Sequence, residues 1–330
     1  MGFLEDILEQ PQNLARSREI FTQALRGTDL SAFEADQLVL AGMGSSFFAA
    51  IPAACALRGA GRAAFALSAT ELLEPGGHLL GKAYFGISQS GKSAETVEAL
   101  SRVSAPRLAL TNTGTGPLSE VADVALPIGS AEDKAIAVLT YTATLAATGM
   151  LAGALGAPLG FDWDRLPGLV GKVLEDGARA AEDFAERFDG MEFLDFVGRG
   201  SSLASAAEGA LLAREAVRLP AACLDTLQYL HGPLEVAEPG RGCVIFGSGR
   251  EVQLATDLAL YGASVLLITR ASIPSTRNLR AFRIPEVPDV LTPILEMVPV
   301  QLLTHRMAGS RGLAADGFRH EQEDTKLEVR

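Results

Sequence analysis

The chain writes the same local unit twice. Residues 36–43 form an apolar run, Gly44-Ser45-Ser46 follows, and a helical pattern starts at Phe47. About half a chain later, residues 193–198 lead into Arg199-Gly200-Ser201-Ser202, and a helical pattern runs from Leu203 to about Leu219. A strand, a Gly/Ser turn and a helix recurring in this way mark an internal duplication. The chain is therefore expected to fold as two α/β units of one kind.

Between the two copies lies Gly86-Ile87-Ser88-Gln89-Ser90-Gly91-Lys92-Ser93-Ala94-Glu95-Thr96. A short apolar run ends there in hydroxyls, an amide and a glycine, and a helical pattern begins near Ser93. The first N–H groups of a helix are unpaired and sit at the positive end of its dipole, so hydroxyls gathered there suit a phosphate. The same residues also suit a serine-rich turn with an N-cap. Lys92 is either solvated or adds charge beside the phosphate.

The remaining apolar runs keep one rhythm. Strands are expected at 38–41, 63–67, 84–88, 107–111 and 124–127, with helices at 46–58, 94–103 and 136–155. The second half repeats it with strands at 193–197, 221–224, 243–246, 265–269 and 282–284, and helices at 202–218, 251–261 and 291–307. Short, mostly apolar strands alternating with helices read as parallel sheets covered on both faces. The expected division is an N-terminal helical segment over 1–35, a first domain over 36–156, a linking helix over 157–190 and a second domain with a C-terminal tail over 191–330. In doubly wound sheets ligands sit at the C-terminal ends of strands near a switch point, which is where the hydroxyl turns fall.

Composition narrows the function. A length of 330 residues accommodates two domains, each with its own core. The net charge of −12 argues against nucleic-acid and membrane-surface partners, since both need a basic face. An anionic substrate would need a local electropositive site. Cys55, Cys223 and Cys243 are few, odd in number and set in apolar runs, as expected for reduced core cysteines of a cytoplasmic protein. The first residues carry acidic groups early and no signal-peptide core, and Asp6 stands where a myristoylation motif wants Ser or Thr. The apolar stretch 135–155 is rich in Ala and Thr and reads as a buried helix, not a membrane span.

Taken in order, these segments resemble the sugar isomerase (SIS) family in its tandem two-domain form, the branch containing the isomerase half of glucosamine-6-phosphate synthase and the SIS-type amino-sugar-phosphate deaminases. Ser88-Gln89-Ser90-Gly91 is similar to the family's phosphate loop, and Gly44-Ser45-Ser46 to its first hydroxyl turn. Gly198-Arg199-Gly200-Ser201-Ser202 resembles the opening of the second domain. Glu208-Gly209-Ala210-Leu211 with Arg214-Glu215 resembles the catalytic helix, and His231-Gly232-Pro233-Leu234 the segment carrying a catalytic histidine. Residues 312–319 resemble the closing loop. The resemblance covers nearly the whole chain. It implies two tandem doubly wound, flavodoxin-like parallel-sheet domains with N-terminal helices. It also implies aldose–ketose isomerisation or isomerising deamination of a hexose or amino-hexose 6-phosphate, without metal or cofactor. Glu215 would be the base at C1/C2 and His231 the ring-opening acid/base. In the relatives this histidine arrives from the neighbouring subunit, which implies a homodimer with a shared site. Gly44, Ser45, Ser46, Ser88, Gln89, Ser90 and Ser93 would bind the phosphorylated sugar, together with Gly200, Ser201, Ser202, Glu208 and Lys326.

The residues alone leave alternatives. Glu215 lies three positions before Arg218 and could form a surface ion pair. His231 before Gly-Pro could be a structural turn residue. Glu208, seven positions before Glu215, falls on the same helical face, and two carboxylates on one face near a pocket point to a site. The chain departs from the family at three lysine positions, which hold Leu139, Leu212 and Glu323; Lys326 replaces the last only with an insertion of about three residues. No glutaminase segment precedes the first domain and residue 2 is glycine, so ammonia from glutamine is not expected. The absent lysines motivate a second reading, a sugar-phosphate-binding regulator. A dinucleotide-binding oxidoreductase is disfavoured, because Gly42-Met43-Gly44-Ser45-Ser46-Phe47 ends in Phe where the dinucleotide fingerprint needs glycine.

Overall fold

A computed structural model describes residues 2–134, 136–315, 317–320 and 322–327. Helix α1 (Gly2–Arg26) comes first. Then follow β1 (Gln37–Gly42), α2 (Ser45–Gly59), β2 (Ala63–Ser68), α3 (Ala69–Leu73), β3 (Ala83–Ile87) and α4 (Ala94–Ser101). The first half closes with β4 (Arg107–Thr111), α5 (Pro117–Glu120), β5 (Val124–Pro127) and α6 (Leu139–Ala154). The second half runs α7 (Leu166–Phe188), β6 (Leu194–Gly198), α8 (Leu203–Glu215), β7 (Ala221–Asp225), α9 (Thr226–Tyr229) and β8 (Gly242–Phe246). It ends with α10 (Arg250–Leu260), β9 (Ser264–Thr269), β10 (Leu279–Arg283) and α11 (Thr292–Ser310).

Both sheets have five parallel strands, ordered β2-β1-β3-β4-β5 and β10-β9-β8-β6-β7. Counted within each half, the two orders are the same, so the duplication read from the sequence is a duplicated topology. Strand β1 shows why its residues are apolar throughout. Leu38 and Leu40 join Ala53, Leu57 and Leu151 of the α2/α6 layer, while Val39 and Ala41 point to the opposite face beside Leu100 and Leu118. Alternating side chains on a doubly covered sheet leave no polar position. The strand order reverses at β1/β3 and again at β6/β8, so each sheet carries one crevice at the carboxyl ends of its central strands.

The chain forms two compact units, and they do not follow the contiguous division expected from the sequence. The first unit holds Pro11–Glu132, Leu139–Leu166 and Arg319–Arg330; the second holds Met1–Gln10, Asp133–Val138 and Pro167–Phe318. The N-terminal helical segment (1–35) is thus split, the linking helix (157–190) is no separate segment, and the C-terminal tail leaves the second domain. Side-chain bonding explains the split. Gln10 Nε2 donates to Gln301 Oε1 at 2.9 Å inside the second unit. Asn13, one turn later, accepts from the Ala131 N–H at 2.7 Å and donates to the Leu139 carbonyl at 3.1 Å inside the first. Short helices α3, α5 and α9 were not expected. Cys223 is a further correction: it is exposed on the edge strand β7, whereas Cys243 is buried as expected. Among the described residues no helix is long and apolar enough to cross a membrane.

Candidate functional site

In the first unit, β1 and β3 are hydrogen-bonded neighbours with Gly42 opposite Ile87. The turn Gly44-Ser45-Ser46 and the loop Ser88–Ser93 therefore leave adjacent strand ends. Helix α2 opens at Ser45 and α4 at Ala94, so two helix N-termini face this edge. The loop is held by its backbone: the Ser88 N–H donates to the Leu110 carbonyl and the Gly91 N–H to the Ser88 carbonyl, each at 3.0 Å. Gly91 has φ +67°, and a Cβ there would lie 2.9 Å from the Thr115 carbonyl oxygen, so only glycine fits the bend. Ser88 Oγ accepts from the Ser93 N–H at 3.5 Å and Ser90 Oγ from the Lys92 N–H at 3.3 Å. Ser93 makes no side-chain cap; its hydroxyl donates to Glu95 at 3.2 Å and accepts from Thr96 at 3.0 Å. The first N–H groups of α4 are thus left for a ligand. Gln89 is half-buried beside them.

The tail reaches this loop. Lys326 forms an antiparallel bridge with Ser93, and the Leu327 N–H donates to the Lys92 carbonyl at 2.8 Å. The side chain of Lys326 is exposed. Asp316, in the closing-loop motif, lies outside the described residues.

Glu215 belongs to the second unit. It is the last residue of α8, a helix brought close to its sheet by Gly209: a Cβ there would fall 2.5 Å from the Phe196 ring. Glu215 is half-buried and makes no hydrogen bond or ion pair among the described residues. Burial with nothing to offset it pushes its carboxyl up to about 7. The expected alternative, an ion pair with Arg218, is not made. Helix α8 ends at Glu215, and Arg218 has φ 55°, which takes its side chain off the helical face. Glu208, two turns earlier on the same helix, is fully buried. His231 is exposed after α9; its N–H donates to the Gln228 carbonyl at 3.0 Å, and Gly232 and Pro233 complete the turn. Leu227 and Val236, near it in sequence, are exposed at 44% and 47%.

Gly200, Ser201 and Ser202 line a different feature, a cavity at the carboxyl ends of β6, β8 and β9 that also takes in Arg250, Arg270 and Glu296. Ser202 Oγ donates to Glu296 at 2.8 Å and Ser205 Oγ at 2.5 Å, so the Ser202 hydroxyl is already committed. Burial raises Glu296 to about 7 even though both serines and Arg270 pull it down. Glu208 does not line this cavity.

Comparison with solved structures decides the fold. The C-terminal domain of glucosamine-fructose-6-phosphate aminotransferase from Francisella tularensis superimposes with a TM-score of 0.81 at 18% identity, covering 96% of this chain and 98% of that one. Glucosamine-6-phosphate deaminase from Thermotoga maritima gives 0.78 at 20% identity, covering 98% of each. The chain has the tandem SIS fold. In sequence it is 31% identical over 242 residues to the glutamine–fructose-6-phosphate aminotransferase [isomerizing] of Methanothermobacter thermautotrophicus, covering 70% of this chain and 41% of the relative. The chain spans about a third to three fifths of the length of the first such relatives. No family model matches it. The flavodoxin-like tandem SIS architecture and the resemblance to the isomerase half of these aminotransferases are as read from the sequence.

Two of the lysine-lacking positions of this SIS chain are structural. Leu139 and Leu212 are buried at 1% and 0%, so each fills a core position. Glu323 lies in the turn Glu323–Thr325 before the tail bridge. Sequence reading missed Gly247-Ser248-Gly249-Arg250-Glu251, Arg270 and Glu296 of the second SIS domain. The signal was present: Gly247–Glu251 follow β8 as Ser88–Ser93 follow β3, so the duplication extended one strand further would have found them.

Proposed function

We propose that the chain is a phosphosugar isomerase or isomerising deaminase acting on a hexose or amino-hexose 6-phosphate. One observation carries this reading: Glu215 is a half-buried carboxylate with no partner among the described residues, raised to about 7 by burial. A structural carboxylate would be paired or solvated; a general base at neutral pH needs this value. The hydroxyls of Ser88 and Ser90, the Gln89 amide and the open N-terminus of α4 bind the phosphate, with Ser46 closing the site. Glu215 removes the proton from C1 of the ketose or C2 of the aldose. The electron pair of that C–H bond forms the C1–C2 double bond as the carbonyl π pair moves onto its oxygen, which takes up a proton, giving an enediol or enolamine. Loss of a proton from the other hydroxyl or amine then re-forms a C=O or C=N bond while the protonated Glu215 returns its proton to the other carbon. With an amino group at C2, the same step gives an imine that water hydrolyses to release ammonia. His231 opens the ring from the partner of a homodimer, a role to which its exposure leaves it free.

The second reading, a sugar-phosphate-binding regulator, draws on Leu139 and Leu212. Solvent deuterium separates the two. Incubation in D2O with hexose and amino-hexose 6-phosphates is expected to place deuterium at C1 or C2 of one of them. Binding of a sugar phosphate without any exchange would sink the enzyme reading and leave the regulator.

A further inference from the structure

The second SIS domain carries its own cavity, of about 490 Å³, within the range of small-molecule sites of roughly 300–1,000 Å³. It sits at the β6/β8 switch point, as the phosphate loop sits at β1/β3. The equivalent loop is changed in one respect. Glu251, at the start of α10, folds back over it: Oε2 accepts from the Gly249 N–H at 3.2 Å and lies against Gly247. The chain's own carboxylate thus fills the place at the helix N-terminus where an anion would otherwise bind.

What remains open in the cavity is of two kinds. At the rim, Arg199 is exposed with no side-chain hydrogen bond or ion pair among the described residues, and Arg250 is exposed with one ion pair, to Asp257 at 3.7 Å. Arg270 is tied to Asp289 at 3.0 Å. Deeper, Thr292 and Glu251 are 5% and 3% exposed, and Thr292 Oγ1 and Glu251 Oε1 have no hydrogen-bond partner. Buried polar atoms left unpaired are costly, and a site for a polar ligand is one reason to keep them.

We propose that this cavity is a second ligand site, for a phosphorylated polyhydroxy compound. Its phosphate meets the guanidinium groups of Arg199 and Arg250, and its hydroxyls donate to Glu251 Oε1 and exchange hydrogen bonds with Thr292. The free Arg199 guanidinium and the Arg250 guanidinium, held only by the long Asp257 contact, are a local electropositive site on a chain of net charge −12, and they match phosphate geometry. Carboxylate and hydroxyl acceptors on the floor select a hydroxylated body over a bare anion. The proposal reassigns Ser201 from the substrate to this second ligand; Ser202, held by Glu296, lines the same cavity. It rests on the second domain alone and stands or falls independently of Glu215.

The test is calorimetry of the full chain in a Glu215→Gln background, with fructose 6-phosphate, inorganic phosphate and fructose as probes. Two fructose 6-phosphate binding events per chain are expected, and S88A/S90A should weaken one about fivefold to 150-fold and leave the other unchanged. Replacing Arg199 and Arg250 with alanine should weaken that other event by about tenfold to a hundredfold, the loss for hydrogen bonds to a charged group. Thr292→Val should weaken fructose 6-phosphate but not inorganic phosphate. Both arginines are exposed, so an unchanged melting temperature checks folding. An isotherm for S88A/S90A that the arginine replacements leave unchanged overturns the proposal. So does binding of inorganic phosphate there as tight as that of the sugar phosphate. If instead S88A/S90A matches its parent while the arginine variant loses all binding, the phosphate loop of the first domain is the assignment that fails.

Discussion

Glu215→Gln separates what the base does for turnover from what it costs the fold. Burial moves the carboxyl from its ordinary 4.5 to about 7, with no partner to offset it. A folded-state value above the unfolded one adds stability below about pH 4.5, and that stability is lost as pH rises through about 7. At about 1.4 kcal/mol for each tenfold change in proton affinity, the full effect is roughly 3 kcal/mol. Solvent at the half-open side chain reduces it, so about 2–3 kcal/mol is expected. Glutamine keeps the shape and carries no charge. In urea unfolding, Glu215→Gln should match the wild type within about 0.5 kcal/mol at pH 4.5 and exceed it by about 2–3 kcal/mol at pH 8.5. Turnover should fall by about 10²–10⁴-fold. The wild-type rate should rise with pH through about 7, since only the carboxylate form accepts a proton. A stability difference that stays flat from pH 4.5 to 8.5 would show a solvated or paired carboxylate and refute the reasoning, whatever the rate does.

Replacing Ser88 and Ser90 with alanine should weaken sugar-phosphate binding by about 1–3 kcal/mol in calorimetry, because two hydroxyls facing a charged group are lost. Subunit exchange between Glu215→Gln and His231→Ala proteins should restore part of the activity, since one mixed site holds both intact groups; mixed dimers that stay inactive argue against a shared site. Glu296, raised to about 7 by burial, follows the same sign as Glu215: its contribution is present at acid pH and lost above about 7. Glu296→Gln should therefore raise the melting temperature relative to wild type at pH 8.5 and not at pH 4.5.

Much of this molecule could be read from its residues, and the rest fails for identifiable reasons. The strands were legible because a doubly covered parallel sheet writes apolar runs bounded by glycine and serine. The phosphate loop was legible because hydroxyls and glycine cluster where a helix starts. Glu215 was legible only as a motif: its isolation depends on α8 ending there and on Arg218 turning to a positive φ, and a helical wheel carries neither. Position 223 looked like core because an edge strand and a central strand share a local composition. The cavity of the second domain was half legible, through Gly247-Ser248-Gly249. Its arginines, one after β6, one opening α10 and one after β9, become neighbours only once the strand order is known. The split of the chain between units could not be read at all, since it rests on contacts between residues hundreds of positions apart.

That split sets the order in which the protein can fold. Gln10 finds its partner 291 residues downstream. At about 5–20 residues per second, a ribosome takes roughly 15–60 s to deliver it. The second unit therefore lacks its first ten residues' partner for most of synthesis, while the first unit waits for residues 319–330. Neither can finish before its last segment has been made, and the slowest step of each is the closure of a very long loop. A single cut between the sheets would strand part of each core on the wrong fragment, so gene halves expressed apart should aggregate when made singly and recover solubility only when made together.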